Sequence, residues 1–129
     1  MRAVIRTAII TDATLLALDV IPEGVLSGDI DTPEARPFLN LKWGDTTPAS
    51  FGGVAKRTTL AIWVHDTPND YTRIDAILAR LRVLLPSLVG LQDLTDYVSQ
   101  IAWTGDGVDL KDDGHRTITR ISNYTLNGS

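Results

Sequence analysis

Between Lys56 and Leu85 the hydrophobic period of the chain changes, and few folds accommodate the change. Leu60, Ile62 and Val64 alternate with Thr59, Ala61, Trp63 and His65, which is the period of a strand with one buried face. Asp66-Thr67-Pro68-Asn69-Asp70 then punctuates the chain. Pro68 pre-sets a turn, and Asn69 or Asp70 offers an N-cap oxygen. Beyond it Ile74, Ile77, Leu78, Leu81, Leu84 and Leu85 fall on one helical stripe, with Arg73, Asp75, Arg80 and Arg82 off it. Pro86 marks the end of that helix. A half-buried strand feeding an amphipathic helix is the nucleus of an α+β layer, with the helix laid on a sheet.

The flanking sequence supplies partners for that nucleus. Arg2 to Leu18 reads as a first helix, weakened by the β-branched run Ile9-Ile10-Thr11. Ile21 to Glu34 reads as a loop, broken by Pro22, Gly24, Gly28 and Pro33. Phe38 to Trp43 reads as a strand with Leu39, Leu41 and Trp43 on one face, followed by a long connection from Asp45 to Val54. Ser87 to Thr95 is a short polar connection. Tyr97 to Trp103 reads as a third strand with Tyr97, Ile101 and Trp103 on one face. A tight acidic turn then leads to a final strand from His115 to Leu126, whose Ile118 and Ile121 are out of phase. The expected architecture is α+β in the order α-β-β-α-β-β: a single mostly antiparallel sheet of about four strands, with two helices packed on one face. Residues 1–129 are expected to form one domain. The other sheet face would carry Trp63 and several Thr residues, and would be open to a partner.

Composition removes several function classes. With no cysteine, disulfides and thiolate metal sites are excluded. A net charge of −4 without a basic run disfavours tight nucleic-acid binding. Arg6 and Asp12 interrupt the apolar N-terminal segment, and its uncharged stretch from Ala13 to Leu18 is far too short to span a bilayer, so a soluble protein made inside a cell is expected.

Candidate chemistry is sparse. His65-Asp66 could supply a general base, or a polar strand end followed by a helix-capping Asp; no placed nucleophile accompanies it. Asp106, Asp109, Asp112 and Asp113 crowd one turn, but without the spacing of a calcium loop. Trp43, Trp63 and Trp103 read as sheet-packing residues, a share of which could anchor an interface. Gly52-Gly53 lacks the Lys-Ser or Lys-Thr of a phosphate loop. The arginines of the central helix read as a solvated face. No catalytic, cofactor-binding or metal-ligating residue is therefore expected. The candidate interface residues are Asp45, Thr46, Thr47, Phe51, Gly52 and Gly53 in the long connection, and Asp106, Asp109, Asp112 and Asp113 in the acidic turn. Phe51 has no periodic partner nearby, so it is expected to be buried against a neighbour in an assembly, with the long connection mobile in the free subunit.

Three segments carry a resemblance to a known family. They are LKWGD from Leu41 to Asp45, TLAIWVHDTPNDYTRIDAILARLR from Thr59 to Arg82, and IAWTGDGVDLKDDGHRTITR from Ile101 to Arg120. As an ordered set, over roughly residues 37–126, they resemble the tail terminator proteins of long-tailed, non-contractile bacteriophages, especially those infecting actinobacteria. The resemblance implies a structural virion protein that assembles in the host cytoplasm as a hexameric ring. Such a ring caps the tail tube protein, stops tube polymerisation and joins the head-tail connector protein at the head-proximal end. Genomic DNA would pass through its lumen without specific binding. It implies no catalysis and no cofactor. The alternatives are another neck or minor tail component, or a small ligand-binding or hydrolytic α+β domain.

Overall fold

The computed structural model describes residues 2–27, 36–48, 55–68, 71–92, 97–114 and 116–128. The period change falls where it was expected. Strand β3 (Lys56–Asp66) runs into helix α3 (Thr72–Ser87). Leu60, Ile62 and Val64 from the strand, and Ile74, Ile77, Leu78, Leu81 and Leu85 from the helix, are fully buried in one cluster.

Strand β7 (Thr117–Gly128) pairs antiparallel with all of β3, from Lys56 opposite Gly128 to Asp66 opposite Ile118. The second part of β7 pairs on its other edge with β5 (Tyr97–Asp106), and its first part with β6 (Leu110–Asp112). Strands β3 and β5 therefore run parallel, with antiparallel β7 between them and α3 as the crossover. This is a split β-α-β unit. Strand β2 (Phe38–Pro48) forms a hairpin with β3; β1 (Val25–Ser27) lies parallel to β2 at one edge, and β4 (Leu91–Gln92) lies beside β5 at the other. The order is β1-β2-β3-β7-β5-β4, with β6 off this path.

The sheet is thus mixed and larger than the expected four strands. Pieces as short as β1, β4 and β6 are too brief to show a period. The helix count also differs. The expected first helix breaks at Thr11-Asp12 into α1 (Arg2–Ile10) and α2 (Ala13–Ala17), because Asp12 turns its carboxylate onto the Leu15 N–H as an N-cap, at 3.0 Å. Thr11 folds its hydroxyl back onto the Thr7 carbonyl, at 2.7 Å. Pro86 sits inside the last turn of α3, one residue short of the helix end. Tyr71 precedes α3 without a side-chain cap, and the other cap candidates, Asn69 and Asp70, lie outside the described residues.

Helix arginines lock the helical layer rather than facing water. Arg73 holds Asp66 through two short bonds, 2.7 and 2.6 Å, and reaches Asp19 at 3.0 Å. The Asp66 bonds raise the Arg73 pKa. Arg80 grips Asp12 through bonds of 3.0 and 2.7 Å, so α3 is tied to the cap of α2. That guanidinium holds the Asp12 carboxyl below the usual carboxylate range, against the opposing effect of burial. Both pairs are bidentate, which fixes orientation as well as charge.

Leu81 lies at the centre of the α3 stripe. Replacing it by Ala is expected to cost roughly 2–5 kcal/mol in denaturant unfolding. A loss well under about 1 kcal/mol would mean that α3 is not packed as described.

Candidate interface surface

Among the described residues, all three α-helices cover one face of the sheet. The register then dictates what the helix-free face carries: Asn40 and Lys42 from β2, Ala61 and Trp63 from β3, Ile121 and Asn123 from β7. The two ends of this face differ in character.

One end is closed. Phe38 and His65 stack with ring centroids 4.3 Å apart, and both are buried. His65 Nδ1 lies 2.9 Å from the Thr117 hydroxyl and 3.0 Å from that of Thr119. The Asp112 carboxylate is 3.6 Å from the same nitrogen. His65 thus serves the β3–β7–β6 junction.

The other end opens into a dish of about 530 Å³. Its floor is made by Gly44, Thr59, Ala61 and Asn123, and Lys42 and Trp63 stand at its wall. The Lys42 ammonium lies 4.0 Å from the Trp63 ring centroid, a cation–π contact that holds both side chains upright. A bulge between Trp43 and Thr46 shapes the rim. A β-carbon on Gly44 would overlap the Thr59 hydroxyl, so glycine is what lets β2 approach here. Beneath the floor, burial pushes the Tyr124 phenol up to about 12. Trp43 packs onto the core, and its buried indole N–H finds no partner among the described residues.

The residues singled out in the sequence are distributed as follows. His65 and Asp66 point to opposite faces, as neighbours on a strand must, so they do not form a general-base pair. Asp66 pairs with Arg73 and accepts from the Thr67 N–H at 2.7 Å; it does not cap α3. Asp45, Thr46 and Thr47 lie in β2, which runs on to Pro48; all three are exposed, and the Thr46 and Thr58 hydroxyls are 3.0 Å apart. The bulge carries the strand past the glycine where the sequence suggested a loop. Phe51, Gly52 and Gly53 lie outside the described residues.

The acidic turn does not act as one group. Asp106 accepts from Trp103 Nε1 at 2.9 Å and from the Ser122 hydroxyl at 2.8 Å. Asp109 lies 3.7 Å from Arg120 and is mostly exposed. Asp112 faces His65, and Asp113 is exposed. Among the described residues no three His, Asp or Glu gather as metal ligands. Ile101 and Trp103 keep the expected common face, opposite Leu126 and Tyr124, but the β5 bulge at Val98–Gln100 turns Tyr97 off it. Ile101 is buried, whereas Tyr97 and Trp103 are exposed, with Arg82 over the Trp103 ring at 5.1 Å.

Sequence reasoning singled out Trp63 but not Lys42, Gly44 and Ala61. The signal was there: Trp-Gly at the end of one strand faces Ala-x-Trp on the next, small residues beside a large one.

No family model matches the chain, and no curated protein matches it. Among solved structures, a chain from the "Virion of native gene transfer agent (GTA) particle" superposes with a TM-score of 0.81 at 15% identity, covering 99% of this chain and 93% of that one. At this identity the likeness is one of fold.

Gly44 supplies a direct check on the rim. Gly44→Ala is expected to lower stability by about 1–3 kcal/mol through overpacking, and Thr59→Ala in the same chain to recover most of it. Thermal unfolding of the two single variants and the pair decides. Additive losses would mean that the two residues do not meet.

Proposed function

We propose that this chain is a structural virion protein of a long-tailed phage, acting as the tail terminator. It forms a ring on the head-proximal end of the tail tube, stops tube polymerisation and offers a surface to the head-tail connector. The observation that carries this reading is the fold likeness, over nearly the full length of both chains, to a subunit of a phage-like virion. The ordered segments at Leu41–Asp45, Thr59–Arg82 and Ile101–Arg120 support the finer assignment.

The physical features are compatible with the role. A sheet with helices on one face leaves a second broad face for assembly, and the described interior is held by packing and ion pairs. An acidic subunit, net −4, does not grip DNA passing through a lumen. In this role the exposed β2 residues Asp45, Thr46 and Thr47, with the acidic-turn residues Asp109 and Asp113, contribute to contacts with neighbouring subunits, the tube or the connector. Asp106 and Asp112 support them from within the subunit.

Deleting the gene from its phage tests the assignment by electron microscopy of the lysate. The terminator reading expects overlong or unjoined tails beside filled heads, rescued by the chain supplied in trans. Tails of normal length with a defect only in head joining would instead assign it to the neck. Normal, infectious particles would overturn both.

A further inference from the structure

The sheet is incomplete along both of its sides. On one side β4 covers β5 only at Tyr97 and Val98, and the Gly90 N–H closes that end by donating to the Val98 carbonyl at 3.1 Å. From Gln100 to Thr104 no strand among the described residues lies along the outer edge of β5. Gln100, Trp103 and Thr104 are exposed. The stretch holds no charge and no proline, the residues that commonly keep a strand edge from pairing with another chain.

On the opposite side β1 covers β2 only from Leu39 to Leu41. Every residue from Gly44 to Pro48 is exposed, and no strand among the described residues lies along their outer edge. Pro48 lacks an N–H and ends the ladder there.

The two edges match one another. Register across the sheet puts Thr47, Arg57, Asn127 and Gln100 in one row, and Trp43, Leu60, Tyr124 and Trp103 in another. The uncovered stretches therefore lie at one height on opposite sides of the same sheet. They also run in opposite directions, because β2 is antiparallel to β3 and β3 is parallel to β5. A copy set alongside the first, helices on the same side, presents its β2 to β5 as an antiparallel neighbour.

We propose that the outer edge of β5 at Gln100–Thr104 takes the outer edge of β2 at Gly44–Thr47 of a second copy as an added strand, so that the sheet continues from subunit to subunit. This inference rests on the ring reading above and specifies its subunit contact. The occupant is a second copy because one subunit carries both halves of the joint, matched in height and direction. Main-chain hydrogen bonds supply the affinity, as in other strand additions. A slip by one residue would set the helix side of one copy against the helix-free side of the next, so the register moves only in steps of two. Subunits of net charge −4 meet where β5 brings no charge, which keeps their repulsion low. Two different edges are joined, so the contact is heterologous and repeats in one direction until it closes into a ring.

Disulfide trapping on the full chain tests the joint, since the natural sequence has no cysteine to interfere. The pairs T47C/Q100C and T47C/A102C place both thiols on the helix-free side, in the same row or two rows apart. Within one subunit the two positions are three strand spacings apart, roughly 14 Å, about twice the reach of a disulfide. Mild oxidation of at least one pair is expected to give a ladder of covalent oligomers that ends at the ring size. In sedimentation velocity Q100K/T104K, which puts lysines on the β5 edge, is expected to raise the concentration needed for assembly by roughly tenfold. Circular dichroism of each variant guards against misfolding. Rings that form while neither pair cross-links, or that tolerate both lysines, would overturn the joint and leave the ring reading intact. Covalent dimers from Q100C or A102C alone, formed as readily as from the pairs, would assign the β5 edge to a two-fold contact with itself and overturn the joint. A wild-type chain that assembles neither alone nor on isolated tubes would remove the ring reading and this joint together.

Discussion

Burial of the α3 stripe against one face of β3, β7 and β5 is the interaction on which the rest of the structure depends. Strand β7 is paired along both edges, and it carries Tyr124 and Leu126 into the same cluster as Leu78 and Leu81. It is also the last strand in the sequence. Strands β3 and β5 are therefore joined only after β7 inserts between them, which makes the core a product of long-range contacts. No strand of this sheet can slip by one residue without exchanging its dry face for its wet one.

That one-sided burial creates an asymmetry of charge. On the helical side, Arg73, Arg80 and Arg120 are each committed to carboxylates of the same subunit: Asp66 and Asp19, Asp12, and Asp75. Such pairs contribute orientation more than net stability, since desolvation offsets much of the attraction. Their effect is to fix the helical layer and the turn behind Val108. On the other face, the Lys42 ammonium lies 4.0 Å from the centre of the Trp63 ring.

How much of this was legible in the sequence depends on the range over which each feature is decided. The period change at Asp66 was legible because it is local, and the buried sets of β3 and α3 followed from it. The break at Asp12 was less so. The Asp12 carboxylate that caps α2 is also held by Arg80, sixty-eight positions away, a partner that the local pattern does not show. The phase of β5 was legible only in part: Ile101 and Trp103 share the expected face, but the bulge that turns Tyr97 away is decided by pairing with β7 rather than by the strand's own residues. The dish was half legible: Trp63 announced itself, but Gly44 and Ala61 acquire meaning only when β2 and β3 lie side by side. Segments of two or three residues, such as β4 and β1, are strands because a neighbour makes them so.

The central claim is the proposal that this fold serves in a virion at the junction between tail tube and head connector, with its helix-free face given to assembly. A cryo-electron microscopy reconstruction of that junction, from intact particles that contain the chain, tests it most directly. The account predicts a closed ring of this fold seated on the last ring of tube subunits, with the Lys42–Trp63 surface covered by protein. Density for the chain elsewhere in the particle, or a ring in which that surface faces open solvent, would contradict it.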